Sequence, residues 1–286
     1  MNKALTAFLL AGILLCATAC RVREPEKLVR GSMTGIGEYT READPADAVG
    51  DVTKLPVDDP RRIAAASKWD GNIQMVGSNN QIYTFSHGIG TKEEPYLLKN
   101  ALDVARFAAN VRFRGDPGNI YQDLTQYQGQ YFRLECDIDM QGHPWLGIGG
   151  NGAAWEDTTM FSGIFDGAGH VIYNFALTDD PMNGFFSFIG RGAVIRNLAI
   201  VSGTVPVKSG ETAGLLVAGA RYGARVENCA LRLNLTAGEG ATLRVGAVGK
   251  SEDGTVTVEG CNFSYVKLNG QAYDLPDIAE IVKKGS

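Results

Sequence analysis

Apolar and polar residues alternate in the C-terminal half of this chain. The apolar members of the two clearest runs are Cys229, Leu231, Leu233 and Leu235, followed by Cys261, Phe263 and Tyr265. Alternation with a period of two predicts strands that bury one face and expose the other to solvent.

A four-residue phrase leads into these runs: an aliphatic residue, a variable residue, an asparagine and a core-sized residue. It occurs at residues 172–175, 195–198 and 226–229, and residues 258–261 keep the frame with glycine in place of asparagine. The copies start 23, 31 and 32 residues apart. Such intervals are typical of a solenoid, and the shortest one fits a bare coil while the longer ones fit a coil with a surface loop.

The asparagines of the phrase are Asn174, Asn197 and Asn228. Asparagine tolerates the left-handed backbone of a tight turn, and stacked asparagines can hydrogen-bond along a stack of strands. The repeat therefore predicts that these three side chains form a structural amide ladder.

Apolar strands bracketed by glycines precede the last three copies, at residues 184–190, 214–219 and 246–249. In these segments the chain resembles the GLUG-repeat proteins, named for glycine, leucine, any residue, glycine. Residues 90–98, 131–140, 145–149 and 161–170 resemble the segment that commonly leads into such repeats in secreted proteins of gut-type bacteria. The resemblance covers about residues 90–266. It implies an all-β, right-handed parallel β-helix solenoid of pectin-lyase-like architecture with a short N-terminal capping α-helix.

That helix also follows from the residues themselves. Asn100 is a good N-cap, and Asp103 places a carboxylate near the positive end of the helix. An apolar stripe at helical spacing follows, consisting of Leu102, Val104, Ala105, Phe107, Ala108 and Val111. We expect this helix to cover the open end of the β-helix.

The N-terminus carries the features of a secretory signal over residues 1–19. Small residues from Ala17 to Ala19 directly precede Cys20, which resembles a bacterial lipobox and implies lipidation of Cys20 and attachment to a membrane. The lipobox prefers Leu at the position of Ala17, so ordinary cleavage after Ala19 stays open.

Composition divides the rest of the chain. Residues 20–68 are rich in Arg, Glu, Asp and Pro, which predicts a largely disordered tether. Residues 69–130 are the predicted lead-in segment with the capping helix, residues 131–270 the β-helix, and residues 271–286 a C-terminal tail. The net charge of −5 and the lack of a long basic run exclude a nucleic-acid surface.

Motifs for chemistry are few. The sequence has no H-E-x-x-H, no G-x-S-x-G and no phosphate-binding loop, so we predict no catalytic residue, metal or cofactor. Asp137 and Asp139 share a strand face and invite comparison with glycosidase carboxylates, but alternation predicts a plain solvent face for both. Cys229 and Cys261 occupy equivalent inward positions; stacked small side chains are favoured, and a disulfide stays open if their coils are adjacent.

Aromatic residues outside the repeats support a binding role. The predicted ligand contacts are Trp155, Trp145, Tyr121 and Tyr127. The strand pattern favours a core position for Trp145, whereas the small and polar flanks of Trp155 fit either role. The sequence thus predicts a lipid-anchored, non-catalytic surface binding or adhesion module of the cell envelope, in the outer membrane or on the cell surface, whose partner is a glycan or a host or envelope protein. The alternative is a polysaccharide lyase or glycoside hydrolase of the β-helix class, which would require converging carboxylates on the wall.

Overall fold

The computed structural model describes residues 51–72, 84–112, 127–150, 160–177, 184–210, 212–239 and 241–283. The predicted signal peptide, Cys20 and the predicted tether as far as residue 50 lie outside these ranges, as do Tyr121 and Trp155.

The described chain is built mainly of short strands. Its helices are the 3₁₀ helix η1 (Val52–Lys54), α1 (Pro60–Ala65) and α2 (Ala101–Arg112). Its strands are β1 (Ser67–Lys68), β2 (Tyr96–Leu98), β3 (Tyr131–Leu134), β4 (Ile138–Asp139), β5 (Pro144–Trp145), β6 (Ile164–Asp166), β7 (Val171–Tyr173), β8 (Ala176–Leu177), β9 (Phe186–Ile189), β10 (Val194–Arg196), β11 (Ala199–Pro206), β12 (Thr212–Ala220), β13 (Arg225–Glu227), β14 (Ala230–Thr236), β15 (Thr242–Ser251), β16 (Thr257–Glu259), β17 (Lys267–Leu268), β18 (Gln271–Ala272) and β19 (Glu280–Lys283).

Three sheets run along the molecule. The first has the order β1-β4-β7-β11-β14-β17-β18, the second β16-β13-β10-β6-β3-β2, and the third β19-β15-β12-β9. We number the coils by their strands: coil 1 contains β3 and β4, coil 2 contains β6, β7 and β9, coil 3 contains β10 to β12, and coil 4 contains β13 to β15. A last, incomplete coil begins with β16 and β17. The result is a parallel β-solenoid of about four turns, which confirms the predicted fold class.

The core lies inside the coils. The central residues of the second sheet, Phe132, Phe165, Ile195 and Val226, are fully buried. In β14 the predicted alternation is confirmed, because Leu231, Leu233 and Leu235 are buried while the residues between them are partly exposed. Each coil therefore contributes a layer of apolar side chains to one continuous core.

Helix α2 closes the N-terminal end as predicted. The Asn100 Oδ1 atom accepts a hydrogen bond from the Asp103 amide at 2.9 Å, and Asp103 Oδ2 accepts one from the Lys99 amide at 3.0 Å. Phe107 lies in the core, with its ring centroid 4.5 Å from that of Phe132. Capping and aromatic packing together fix the helix on the first layer of the core.

The phase of the sequence repeat differs from the prediction. Ile195, Val226 and Val258 pair in register in the second sheet, but Ile172 lies in the first sheet. The register neighbour of Ile195 in coil 2 is Phe165, 30 residues earlier. The interpretation of the 23-residue interval as a bare coil is therefore wrong, because one local pattern occurs at two different corners of the coil.

The segment before the solenoid is folded. Strand β1 pairs in parallel with β4, and α1 begins after Asp59, whose side chain accepts a hydrogen bond from the Arg61 amide. A small second core joins this arm to the outer face of the first sheet; its members are Val57, Ile63, Ala66, Val171, Tyr173 and Val201. The prediction of a disordered tether is wrong for residues 51–68, because a few apolar side chains among many charges find an apolar outer face to cover.

The end of the chain also differs from the predicted tail. Strand β18 pairs antiparallel with β17, and β19 pairs antiparallel with β15. Both additions cover edges that would otherwise be open at the last coils. The prediction of a tail is wrong for residues 271–283, which close the C-terminal end of the first and third sheets.

Candidate functional site

Two of the four predicted ligand contacts lie in the core. Trp145 is 1% exposed, its ring lies on Phe185 at 5.7 Å, and its Nε1 donates to the Phe185 carbonyl at 3.0 Å. Tyr127 is buried and its hydroxyl accepts a hydrogen bond from Asn110 Nδ2 at 3.1 Å. Since burial leaves no ring face for a ligand, the prediction is wrong for these two residues. Trp155 and Tyr121 are outside the described residues and stay predictions.

Asp137 is buried rather than on a solvent face. Arg62 Nε donates to Asp137 Oδ2 at 2.7 Å, while His170 Nδ1 and the Val171 amide lie 3.1 and 2.9 Å from Oδ1. Burial by itself would raise the pKa of Asp137, but hydrogen bonds from His170 and Arg62 and the charge of Arg62 hold that pKa below its usual value. This carboxylate is a structural anchor of the N-terminal arm.

The remaining donors of Arg62 are also occupied. Its Nη1 donates to the Thr53 and Leu55 carbonyls, and its Nη2 donates to the Gly169 carbonyl at 3.0 Å. Five hydrogen bonds thus join Arg62 to the arm, to coil 1 and to coil 2.

Asp139 is likewise engaged by its neighbours. Its Oδ1 accepts hydrogen bonds from Asn174 Nδ2 at 2.7 Å and from the Gln141 amide at 2.9 Å. Asp166 makes the same arrangement at another corner, with Asn197 Nδ2 and the Ala168 amide both at 2.9 Å. The two aspartates fasten the turns of successive coils, so Asp137 and Asp139 do not form a catalytic pair facing solvent.

The asparagines follow the predicted backbone but not the predicted ladder. Asn174, Asn197 and Asn228 have φ angles of 52°, 54° and 51°, in the left-handed region. Asn197 and Asn228 share one corner through the register of β10 and β13, whereas Asn174 follows β7 in the first sheet. The prediction of a three-member ladder is therefore wrong for Asn174. The fourth copy of the phrase has Gly260, where a Cβ atom would clash with Asn228 Oδ1.

One exposed aromatic residue has an unusual backbone. Tyr222 is 47% exposed and has a φ of 56°; it is the one aromatic residue with positive φ in the part of the chain that the structure describes. It lies in the turn between β12 and β13, at the corner where the third sheet gives way to the second. A bulky side chain in this region is strained by about 1–3 kcal/mol and persists only where its surroundings enforce it.

Hydrogen bonds from the next coil enforce that turn. Asp253 Oδ2 accepts from the Tyr222 amide at 2.7 Å, and Thr255 Oγ1 accepts from the Gly223 amide at 2.8 Å. The bond from the Tyr222 amide lowers the pKa of Asp253, so this acceptor stays charged at neutral pH. These bonds hold the backbone of the turn in place, and the Tyr222 side chain remains half exposed.

A charged side chain lies over the ring and belongs to a small ion-pair network. The guanidinium of Arg221 lies 4.9 Å from the Tyr222 ring centroid and 5.2 Å from that of Phe188. Arg221 Nη1 pairs with Glu252 at 3.1 Å, and Lys250 Nζ contacts the other oxygen of Glu252 at 3.1 Å. We call this group, Tyr222 with Arg221, Glu252 and Lys250, the Tyr222 corner. A half-exposed aromatic ring beside charged groups is suited to a sugar, which stacks on the ring and hydrogen-bonds at its edge.

Sequence reasoning missed Tyr222, although a signal was available. In coil 2 the equivalent corner carries Arg191, also at positive φ, and the Gly192 amide donates to the Tyr222 carbonyl at 2.9 Å. Small or polar residues are usual in such turns. A tyrosine directly before Gly223, between two predicted strands, is therefore an unusual turn residue.

A shallow groove of about 430 Å³ lies at a different corner, and its lining residues are Gln141, Gly142, Asn174, Phe175, Ala176, Gly203 and Thr204. Its amides are engaged elsewhere, since Asn174 Nδ2 donates to Asp139 and Gln141 Nε2 donates to the Trp69 carbonyl at 2.7 Å. The side-chain amides of Asn174 and Gln141 therefore already bond within the protein. Within the described ranges, no cluster of three or more His, Cys, Asp or Glu residues is placed to hold a metal ion, and no helix is long and apolar enough to cross a membrane.

Comparison with known proteins gives limited matches. No family model matches the chain. A curated relative, "Putative Gly-rich membrane protein" of Evansella cellulosilytica, is 31% identical over 146 residues, which is 49% of this chain and 15% of the relative. The chain therefore spans about one seventh of the length of that relative. A solved structure, described as a putative immunoglobulin A1 protease from Bacteroides ovatus, covers 71% of this chain and 88% of its own, with 13% identity and a TM-score of 0.34.

Proposed function

We propose that this protein is a lipid-anchored, non-catalytic module of the cell envelope that binds a glycan, free or on a glycoprotein, through the Tyr222 corner. Cys20 is the site of lipidation, and the folded body is held near the membrane by the residues between Cys20 and Asp51. The name of the curated relative, a membrane protein, agrees with this location.

The observation that carries the proposal is the strained, half-exposed ring of Tyr222. Strained backbone conformations cluster at functional sites, and the half-exposed ring of this residue lies beside Arg221, which pairs with Glu252. A stacking contact to a tyrosine orders few rotamers, because the side chain has only two torsion angles. Trp155 and Tyr121 remain predicted additional contacts.

No comparable observation supports the alternative function, a polysaccharide lyase or glycoside hydrolase. The two carboxylates singled out in the sequence, Asp137 and Asp139, are buried; both oxygens of Asp137 are bonded, and Asp139 Oδ1 accepts hydrogen bonds from Asn174 and the Gln141 amide. A glycosidase or lyase needs carboxylates that face the substrate. We therefore propose binding alone.

Binding is tested with the full chain on an array of free glycans and on intact glycoproteins. Tyr222→Ala should weaken capture by about tenfold or more, because it removes the stacking face. Tyr265→Ala is the matched control: Tyr265 is 56% exposed and lies under Arg232 at 4.7 Å, but it lacks the positive φ. Equal capture by both variants, or release of soluble products from a polysaccharide panel, would contradict the proposal.

The anchor is tested by incorporation of labelled fatty acid in cells. Cys20→Ala should abolish labelling, whereas Cys16→Ala, a change inside the signal sequence, should retain it. Labelling that survives Cys20→Ala would exclude lipidation at this residue.

A further inference from the structure

Two cysteines face each other across adjacent coils. The bridge between Ala230 and Asn262 places Cys229 opposite Cys261, and the Cys229 amide donates to Cys261 Sγ at 3.3 Å. Register neighbours in a sheet lie about 4.8 Å apart, which is inside the Cα separation that a disulfide spans. Both are free thiols in the structure, and the Sγ atoms of Cys229 and Cys261 contact the carbonyls of Glu227 and Glu259 at 3.3 and 3.4 Å.

The third cysteine of the described chain is out of reach. Cys136 occupies the same corner in coil 1, and its thiol donates to the Lys99 carbonyl at 3.1 Å. Three coil spacings separate it from Cys229, or about 14 Å, which exceeds disulfide range. The geometry therefore selects a single pair.

The two thiols differ in a way that suits stepwise oxidation. Cys261 is partly exposed, whereas Cys229 is 1% exposed. The hydrogen bond from Cys229 lowers the pKa of Cys261, and that contact together with burial raises the pKa of Cys229. Cys261 is thus the more accessible and the more readily deprotonated of the two thiols, so it meets an oxidant first.

We propose that Cys229 and Cys261 form a disulfide that staples coil 4 to the last coil. The oxidant is a small-molecule or protein disulfide of the exported compartment. The Cys261 thiolate attacks one sulfur of that disulfide, forming a mixed disulfide and releasing one thiolate. The Cys229 thiol then loses its proton and attacks Cys261 Sγ, so that the protein disulfide forms and the second thiol leaves. Two protein thiols are oxidised and one external disulfide is reduced to two thiols.

The staple acts at the weak end of the solenoid. Strand β16 is the edge strand of the second sheet within the described ranges, so coil 4 is its one neighbour there. A bond between Cys229 and Cys261 closes a loop across this boundary with a sequence separation of 32 residues. Opening of the last coil is then restrained by a covalent link.

The test uses the full chain equilibrated in glutathione mixtures that range from fully reduced to dominated by glutathione disulfide. Free thiols are then blocked in denaturant, and the protein is cleaved with trypsin. Cleavage after Arg225, Arg232, Lys250 and Lys267 places the two cysteines on separate peptides, residues 226–232 and 251–267. In the oxidising mixtures we expect these two peptides joined in the mass spectrum, with the Cys136 peptide blocked and separate.

The stapling effect is read from Tm. Oxidation should raise the Tm of the wild type by about 5 to 10 °C and leave the Tm of Cys261→Ala unchanged. Blocked, unlinked peptides under the most oxidising mixture, or a link to Cys136, would overturn the proposed bond. Linked peptides with an unchanged Tm would overturn the staple. The peptide map of the wild type decides the bond even if the variant does not fold.

Discussion

The Arg62–Asp137 pair and the Arg221–Glu252 pair join the same two kinds of charge in different surroundings. The first pair has side chains 4% and 5% exposed, and every donor of the guanidinium is used. The second pair has side chains 17% and 22% exposed and lies beside the half-exposed ring of Tyr222. A fully satisfied buried pair fastens the fold, whereas we propose that the partly exposed pair beside Tyr222 contacts a ligand.

Loss of the buried Arg62–Asp137 pair should lower stability the most. Arg62→Ala should lower the free energy of unfolding by about 3–5 kcal/mol, because Asp137 would remain as a buried, uncompensated charge. Chemical denaturation measures this loss. Arg61→Ala is the matched control in the same helix, since Arg61 is 52% exposed and pairs with Asp59 at the surface; it should leave the midpoint near the wild-type value. Equal losses for the two variants would contradict the anchoring role of Arg62.

The buried Arg62–Asp137 pair should also make the stability of the protein depend on pH. Burial opposes the charge of Asp137, but hydrogen bonds from His170 and Arg62 outweigh it and lower its pKa. A group whose folded pKa lies below its unfolded value of about 3.9 contributes stability above that pH and loses it as pH falls through the folded pKa. Wild-type stability should therefore fall on acidification below about pH 4, and the fall should be less steep in Asp137→Asn. Parallel curves for the two proteins would show that Asp137 is not linked to folding in this way.

The corner at Asp166 is an intermediate case. Its carboxylate is 20% exposed and is held by Asn197 and Arg196. Asn197→Leu should cost about 1–3 kcal/mol, because Asp166 loses a donor, and the left-handed backbone adds strain to the leucine. Asn234→Leu, on an outward position of β14, is the comparison variant: Asn234 Oδ1 accepts one hydrogen bond from the Gly270 amide at 3.1 Å in an exposed turn, so its loss should cost less than about 1 kcal/mol.

Comparable denaturation midpoints for Asn197→Leu and Asn234→Leu would contradict the role of the Asp166 corner. Asn197→Gly separates the two causes, since glycine keeps the turn and removes only the hydrogen bond.

The sequence was sufficient for features that are local. The alternation of β14 and the cap of α2 at Asn100 depend on residues within a few positions of each other, and both were predicted. The phase of the coils was not predicted. The same phrase of an aliphatic residue, a variable residue and an asparagine occurs at the ends of strands at two different corners. Only the register of Ile195 with Phe165, a contact between coils, distinguishes the corners.

The candidate site divides in the same way. Arg62 meets Asp137 across 75 residues, and nothing in the neighbourhood of either residue announces the pair. The aromatic residues Trp145 and Tyr127 were predicted from composition, which does not distinguish a ring in the core from one on the surface. Tyr222, by contrast, had a local signal in its position before Gly223, and turn chemistry would have found it.

We propose that the strained backbone at Tyr222 is retained because the ring binds a ligand. One substitution tests both the strain and the binding. Asn adopts the left-handed region readily, so Tyr222→Asn should raise the free energy of unfolding by about 0.5–1 kcal/mol. The same change removes the stacking face and should weaken glycan capture by about tenfold. We expect a more stable protein that binds less. A Tyr222→Asn protein that captures glycans as well as the wild type would contradict it, whatever its stability.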